Sequence, residues 1–190
     1  MTKVKGQRSK VQGQRSKVKG KRPCTLMLVT LLGVALFVPV AAYAQQTVIF
    51  VRHAERADGG AAMSTGGTPA DPLLSAAGEA RAAKLATMLA DAGVKAIYAT
   101  EFRRTQDTGK PLAAKLGLTV QAIAGKDMAG LVSKVKAHNA TDVVLVIGHS
   151  NTVPDAIKAL GGPVVTMRDD EYDAMYILTP ATGTITLIRF

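Results

Sequence analysis

Three short stretches of this 190-residue chain bring together residues that could act on one charged group: Arg52-His53-Ala54-Glu55-Arg56, Thr100-Glu101-Phe102-Arg103-Arg104 and Gly148-His149-Ser150-Asn151. They supply two histidines and four arginines, and two histidines with up to three arginines meeting at strand ends would suit a phosphoryl group. Guanidinium forks match phosphate oxygens in a bidentate way and stay charged at any relevant pH. One imidazole can attack phosphorus, which splits transfer into formation of a phosphoenzyme and its hydrolysis. The arginines and the second imidazole would then hold the charge spread over the equatorial oxygens. Each stretch alone also reads as a solvated turn, so the case rests on whether the surrounding elements bring all three to one place.

Those elements are legible. Thr47–Val51 is an apolar run of strand formers, of the kind buried on both faces of a parallel sheet, and it stops at Arg52. Residues 57–71 are rich in Gly, Ala, Ser and Thr and read as a loop. Ser75 caps a helix whose inward face is Leu85, Met88, Leu89 and Ala92, closed by Gly93. Lys95–Ala99 is a second strand, followed by a helix from near Arg103 that is interrupted or kinked at Pro111 and ends at Gly117. Leu118–Ile123 is a third strand and Asp127–His138 a helix with Leu131 and Val135 inward. Asp142–Ile147, DVVLVI, is a fourth strand that runs into Gly148-His149, with a short helix over 152–160. Two strands, 174–179 and 184–190, close the chain as a hairpin. This alternation predicts a three-layer α/β/α sandwich with a mostly parallel sheet and a C-terminal hairpin. In such sheets ligands collect at the carboxyl ends of the strands, where all three polar stretches lie.

Charge and composition narrow the function classes. The formal net charge is +10, but nine of the 24 basic residues fall in residues 1–22, which hold no acid. Without them the chain carries 15 basic against 14 acidic residues, so no basic stripe remains to support nucleic-acid binding. The basic segment repeats VKGQRSK, VQGQRSK and VKGKRPC from Val4, Val11 and Val18, with one apolar residue per repeat, too few to bury a coiled-coil seam. We read residues 1–24 as a basic low-complexity extension. Residues 25–44 follow as an apolar core ending in Ala42-Tyr43-Ala44, the pattern of a secretory signal peptide cleaved after Ala44. An uncleaved anchor is the competing reading, because 25–44 is charge-free over about the length that spans a bilayer. Either way residues 45–190 form one domain on the periplasmic or exterior side, touching a membrane only through the leader if it is retained. Cys24, the only cysteine, precedes the apolar core, so the mature domain has neither disulfide nor thiolate metal site, and no metal-ligand spacing occurs elsewhere.

At this level of detail the chain resembles the histidine phosphatase superfamily, in its phosphoglycerate mutase-like branch. Arg52-His53-Ala54-Glu55 is similar to the family's R-H-G-x signature, with Ala54 where Gly is commoner. Leu74-Ser75-Ala76-Ala77-Gly78-Glu79-Ala80-Arg81-Ala82 resembles its L-S/T-x-x-G-x-x-Q/R-A helix start. Thr100 to Thr108 is similar to S-x-x-x-R-A-x-Q-T, which aligns Arg104 rather than Arg103 with the motif arginine, and Gly148-His149-Ser150 resembles G-H-[GS]. The resemblance implies His53 as the phosphorylated nucleophile, with Arg52, Arg104 and His149 binding phosphate and Arg56 either joining them or starting a solvated loop. Glu55 it makes a motif neighbour rather than an acid.

The proton donor is the open position. Acid phosphatases of this family carry it directly after the second histidine, where this chain has Ser150; Glu101 and Asp127 are the two candidates, and small phosphohistidine phosphatases resemble this chain in lacking a clear donor. His138 reads as a solvated histidine at a helix C-terminus and Asp169-Asp170-Glu171 as a solvated acidic face. The expectation is an exported, metal-independent and cofactor-free phosphatase acting on a small phosphomonoester or phosphohistidine. The alternative is a non-catalytic envelope module that binds phosphorylated glycans or lipids in the same pocket. Substrate identity and oligomeric state are not encoded in any recognisable motif.

Overall fold

The strand that leads into His53 sits inside the sheet because its apolar run, Val48 to Val51, is stable only when covered on both faces. In the computed structural model, which describes Thr2 and residues 45–59 and 71–190, β1 (Thr47–Arg52) is buried from Val48 onward, with Val48, Phe50 and Val51 fully inaccessible. The basic extension, the signal-peptide segment, Cys24 and residues 60–70 of the loop lie outside the described residues. Among the described residues no helix is long and apolar enough to cross a membrane.

The remaining elements are α1 (Ala76–Met88), β2 (Val94–Thr100), α2 (Arg103–Leu116), β3 (Val120–Ile123), α3 (Met128–Lys136), β4 (Val143–Gly148), α4 (Thr152–Ala159), β5 (Ala174–Thr179) and β6 (Thr184–Arg189). The six strands form one sheet in the order β3-β2-β4-β1-β5-β6. The first four are mutually parallel, and β5 and β6 add antiparallel at the β1 side. Side chains alternate along each strand, so β1 feeds two cores. Val48 and Phe50 pack with Tyr98, Val146 and the buried faces of α3 and α4; Ile49 and Val51 pack with Ile97, Leu145, Ile147 and those of α1 and α2. The expected α/β/α sandwich with a C-terminal hairpin is therefore the observed fold.

Local chemistry explains most boundaries. Ser75 Oγ accepts from Gly78 N at 3.1 Å and caps α1, and Asp127 Oδ1 accepts from Gly130 N at 2.8 Å and caps α3. Gly117 ends α2 in the left-handed region at φ 67°. Three sequence expectations need correction. Pro111 does not interrupt α2, which is one 14-residue helix with Pro111 inside it; buried Thr105, Thr108, Leu112 and Ala113 hold it against the sheet on both sides of the proline, and packing outweighs the lost backbone bond. Met88 does not face the core: it is 41% exposed, because α1 ends there and Leu89 turns inward instead. His138 is not merely solvated, since its Nε2 is paired with Tyr98 Oη at 3.0 Å and its Nδ1 lies 3.4 Å from Asp142 Oδ2.

Candidate active site

Because β4 lies between β1 and β2, the three polar stretches end side by side. Arg52 is in register with Gly148, and Ala99 with Ile147, so the residues that follow each strand leave the sheet at the same edge. His53 N donates to Gly148 O at 2.9 Å, which ties the nucleophile candidate to the strand that delivers His149. The two imidazoles meet edge-on with centroids 5.2 Å apart.

They open on a cavity of about 730 Å³ lined by Arg52, His53, Arg56, Glu101, Arg104, His149 and several residues of the rim. Of the residues singled out from sequence, these six converge there. Asp127 does not: it caps α3 and lines a separate, mostly apolar cavity. Arg103 is exposed beside the site, and the motif alignment that favoured Arg104 matches the side chain that turns inward.

His53 is 3% exposed, and its Nδ1 lies 2.7 Å from Ala54 O. A carbonyl can only accept, so Nδ1 carries the proton and Nε2 keeps its lone pair. Burial lowers its pKa to about 4; the Ala54 carbonyl opposes this, and Arg52, Arg104 and Arg56 add to the lowering. His149 is lowered to about 3, again by burial first and then by His53 and the arginines. Both rings are consequently neutral at pH 7. An anion placed among the arginines would oppose their share of this lowering, and burial, the larger cause, would persist.

Each arginine is held flat. The Arg52 guanidinium lies 4.1 Å from the Tyr172 ring centroid and donates to the carbonyls of Arg168 and Asp169. Its Nε is buried without a hydrogen-bond partner among the described residues. Arg104 lies 4.3 Å from the Phe102 ring centroid and 3.6 Å from Asp71, and burial lowers its pKa most, with Arg56 contributing. Arg56 ion-pairs with Asp58 on the turn that leaves β1.

Threonines lock the scaffold. Thr108 Oγ1 accepts from Ala54 N at 2.9 Å and donates to Arg104 O at 2.7 Å, joining the nucleophile turn to the helix that carries the second arginine. Thr100 Oγ1 lies 3.0 Å from His149 Nε2 and 2.8 Å from Thr105 Oγ1. The helix-start motif has a structural meaning as well. Ser75 N donates to Glu55 O, and Arg81 grips the Glu55 carboxylate with Nε at 2.9 and 3.0 Å and Nη2 at 2.7 Å. Burial, the largest single influence, would raise the Glu55 pKa, but the Arg81 hydrogen bonds, a backbone hydrogen bond and the Arg81 charge together outweigh it and hold Glu55 below its ordinary value. Gly78 has no room for a side chain, because a Cβ there would sit 2.3 Å from Glu55 O. Glu55 therefore anchors α1 and takes no part in the cavity lining.

Sequence reasoning missed Tyr172, Phe102 and Thr108. Tyr172 is the hardest to find, since it follows an acidic run 120 residues after its partner Arg52; the T-x-x-T spacing of Thr105 and Thr108 on one helix face offered a faint signal.

Comparison with known proteins follows the same line. The sequence model of the histidine phosphatase superfamily (branch 1) matches residues 48–127, and no curated protein matches the chain in sequence. Among solved structures, the domain is similar to the mycobacterial glucosyl-3-phosphoglycerate phosphatase, with TM-score 0.58 and 15% identity over 76% of this chain and 97% of that one. It is similar to the phosphoserine phosphatase of Entamoeba histolytica crystallised with 3-phosphoglyceric acid, with TM-score 0.54 and 15% identity over 77% and 96% of the two chains. A structure of the SixA-type protein of Agrobacterium tumefaciens aligns with TM-score 0.51 and 20% identity over 71% of this chain and 92% of that one. At these identities the structural likeness speaks to fold, and the family match covers the segment that bears Arg52, His53, Arg56 and Arg104. Together, the match over residues 48–127 and the shared fold make the domain similar to the histidine phosphatase superfamily.

Proposed function

We propose that the domain hydrolyses a small phosphomonoester or phosphohistidine through a phosphohistidine intermediate on His53. The observation that carries this reading is the tautomer: with its Nδ1 proton engaged by Ala54 O, His53 presents a neutral Nε2 between the arginines and His149. Nε2 attacks phosphorus as the P–O bond to the leaving group breaks. Arg52, Arg104 and His149 hold the equatorial oxygens. Water then attacks the phosphohistidine, returning neutral His53 and inorganic phosphate. Arg56, at the cavity wall, is assigned to the same phosphate. The guanidinium groups supply the charge that a metal supplies in other phosphoryl-transfer sites, so the reaction is metal-independent in this reading and EDTA should leave its rate unchanged.

The same reading includes export by residues 25–44, supported by the basic flank, the short apolar core and the Ala42-Tyr43-Ala44 ending. N-terminal sequencing of protein recovered outside the cytoplasm should begin at Gln45. For the chemistry, purified protein is incubated with an aryl phosphate. Wild type should release phosphate and trap an acid-labile label on His53, and His53→Ala should abolish both. Phosphate release by His53→Ala at the wild-type rate would refute the assignment. Vanadate binding without turnover or label would instead favour a module that only binds phosphorylated glycans or lipids.

A further inference from the structure

The candidate site has a nucleophile and a phosphate cradle, and the remaining element is a source of the proton that an alkoxide leaving group requires. Its position follows from in-line geometry. His53, Arg52 and Arg104, at 3%, 7% and 7% exposure, form the floor of the cavity. A nucleophile attacking from the floor expels the leaving oxygen toward the rim. The rim carries three carboxylates: Glu101, Asp169 and Asp170.

They are not equivalent. Glu101 Oε2 accepts from Gly125 N at 2.7 Å, which turns that oxygen toward the backbone of the loop after β3. Asp170 is bound to the exposed Arg168 guanidinium at 2.8 and 3.1 Å, which holds it ionised. Asp169 faces a hydroxyl: Ser150 Oγ lies 2.5 Å from Asp169 Oδ1. A hydroxyl rotates, donating to a carboxylate or accepting from a carboxylic acid, so this partner suits both protonation states. Asp169 is also fixed over the phosphate site, because its carbonyl accepts from Arg52 and Ser150 directly follows His149.

Resting on the phosphatase reading above, we propose that Asp169 is the general acid, held in place by Ser150. The Asp169 carboxyl gives its proton to the leaving oxygen as the P–O bond breaks and the P–N bond to His53 forms. The resulting carboxylate then takes a proton from the water that attacks the phosphohistidine, which restores the acid. The sequence signal was present but displaced: the acid that other family members carry immediately after the second histidine is supplied here across space, through the serine in that position.

The test compares two substrates on the full-length protein: 2,4-dinitrophenyl phosphate, whose leaving group needs no proton, and an alkyl phosphate such as glycerol phosphate, whose leaving group does. In Asp169→Asn the ratio of kcat/KM for the alkyl ester to that for the dinitrophenyl ester should fall by about 10²- to 10⁴-fold, the usual share of general-acid catalysis. Asp169→Glu should recover part of the ratio, and Ser150→Ala should lower it less than Asp169→Asn does. An unchanged ratio, whether both rates fall together or neither does, would overturn the assignment and leave Asp169 a support for Arg52. Wild type that turns over only the dinitrophenyl ester would overturn it too, since no acid then operates. Wild type inactive on both esters and unlabelled at His53 would instead bring down the phosphatase reading itself.

Discussion

Burying two neutral imidazoles beside three guanidinium groups has a cost that acid should reveal. His53 has an ordinary pKa of 6.5 in the unfolded chain and about 4 in the folded one. Above pH 6.5 both states hold the neutral ring and the shift is silent. As pH falls from 6.5 toward 4, the unfolded chain gains a proton that the native state refuses, so stability declines through that window. At pH 5 the unfolded imidazole is protonated about 30 times more often than not and the native one about one time in ten, which lowers native stability by about 2 kcal/mol relative to pH 8. His149 is shifted in the same direction by the same dominant cause, its burial, and adds to the decline. The assay is urea unfolding at pH 8 and pH 5 for wild type and His53→Gln. The variant removes the titrating group from both states, so it should lose about 2 kcal/mol less than wild type across the interval. Equal losses in the two proteins would refute the argument, and would mean that water reaches His53.

Two further predictions probe the scaffold. Gly78→Ala drives a methyl group into the Glu55 carbonyl at 2.3 Å, and should cost about 3 kcal/mol, read as a fall in Tm of about 10 °C; an unchanged Tm would mean that α1 can withdraw from the nucleophile turn freely. Thr108→Val keeps the shape of the side chain but leaves the buried Ala54 N–H unpaired, so stability should drop by about 1–3 kcal/mol and kcat should fall more than KM rises; unaltered stability and turnover would remove Thr108 from the positioning role.

What could be read from the sequence divides along physical lines. β1 and β4 announce themselves because a strand covered on both faces has no choice but to be continuously apolar, and TVIFV and VVLVI allow little else. The chemistry at their ends was readable for a related reason: Arg52, His53 and His149 directly follow strands, so finding the strand end finds the residue. The errors occur where contact distant in sequence overrides local preference. Pro111 was read by its ring, yet α2 continues because residues on either side of it are packed against the sheet. His138 was read by its place at a helix end, and Tyr98, 40 residues earlier, gave it a partner. Asp169 was assigned to a solvated acidic face and Tyr172 was passed over because the guanidinium that organises them is more than a hundred residues away, and neither periodicity nor spacing records such a contact.

The placement of β4 between β1 and β2 also bears on how the molecule is made. During synthesis β1 emerges first, and its parallel partner follows only after α1, β2, α2, β3 and α3 have been added. Its other neighbour, β5, comes later still. For that interval a flat, uncharged, β-branched segment has both edges unpaired, the situation that makes nascent chains stick to one another. Arg52 and Arg56, at the end of that segment, place charge beside it in the growing chain, the position of gatekeeper residues. The pocket is thus a late product of folding: it does not exist until the long-range pairing of β1 with β4 has closed.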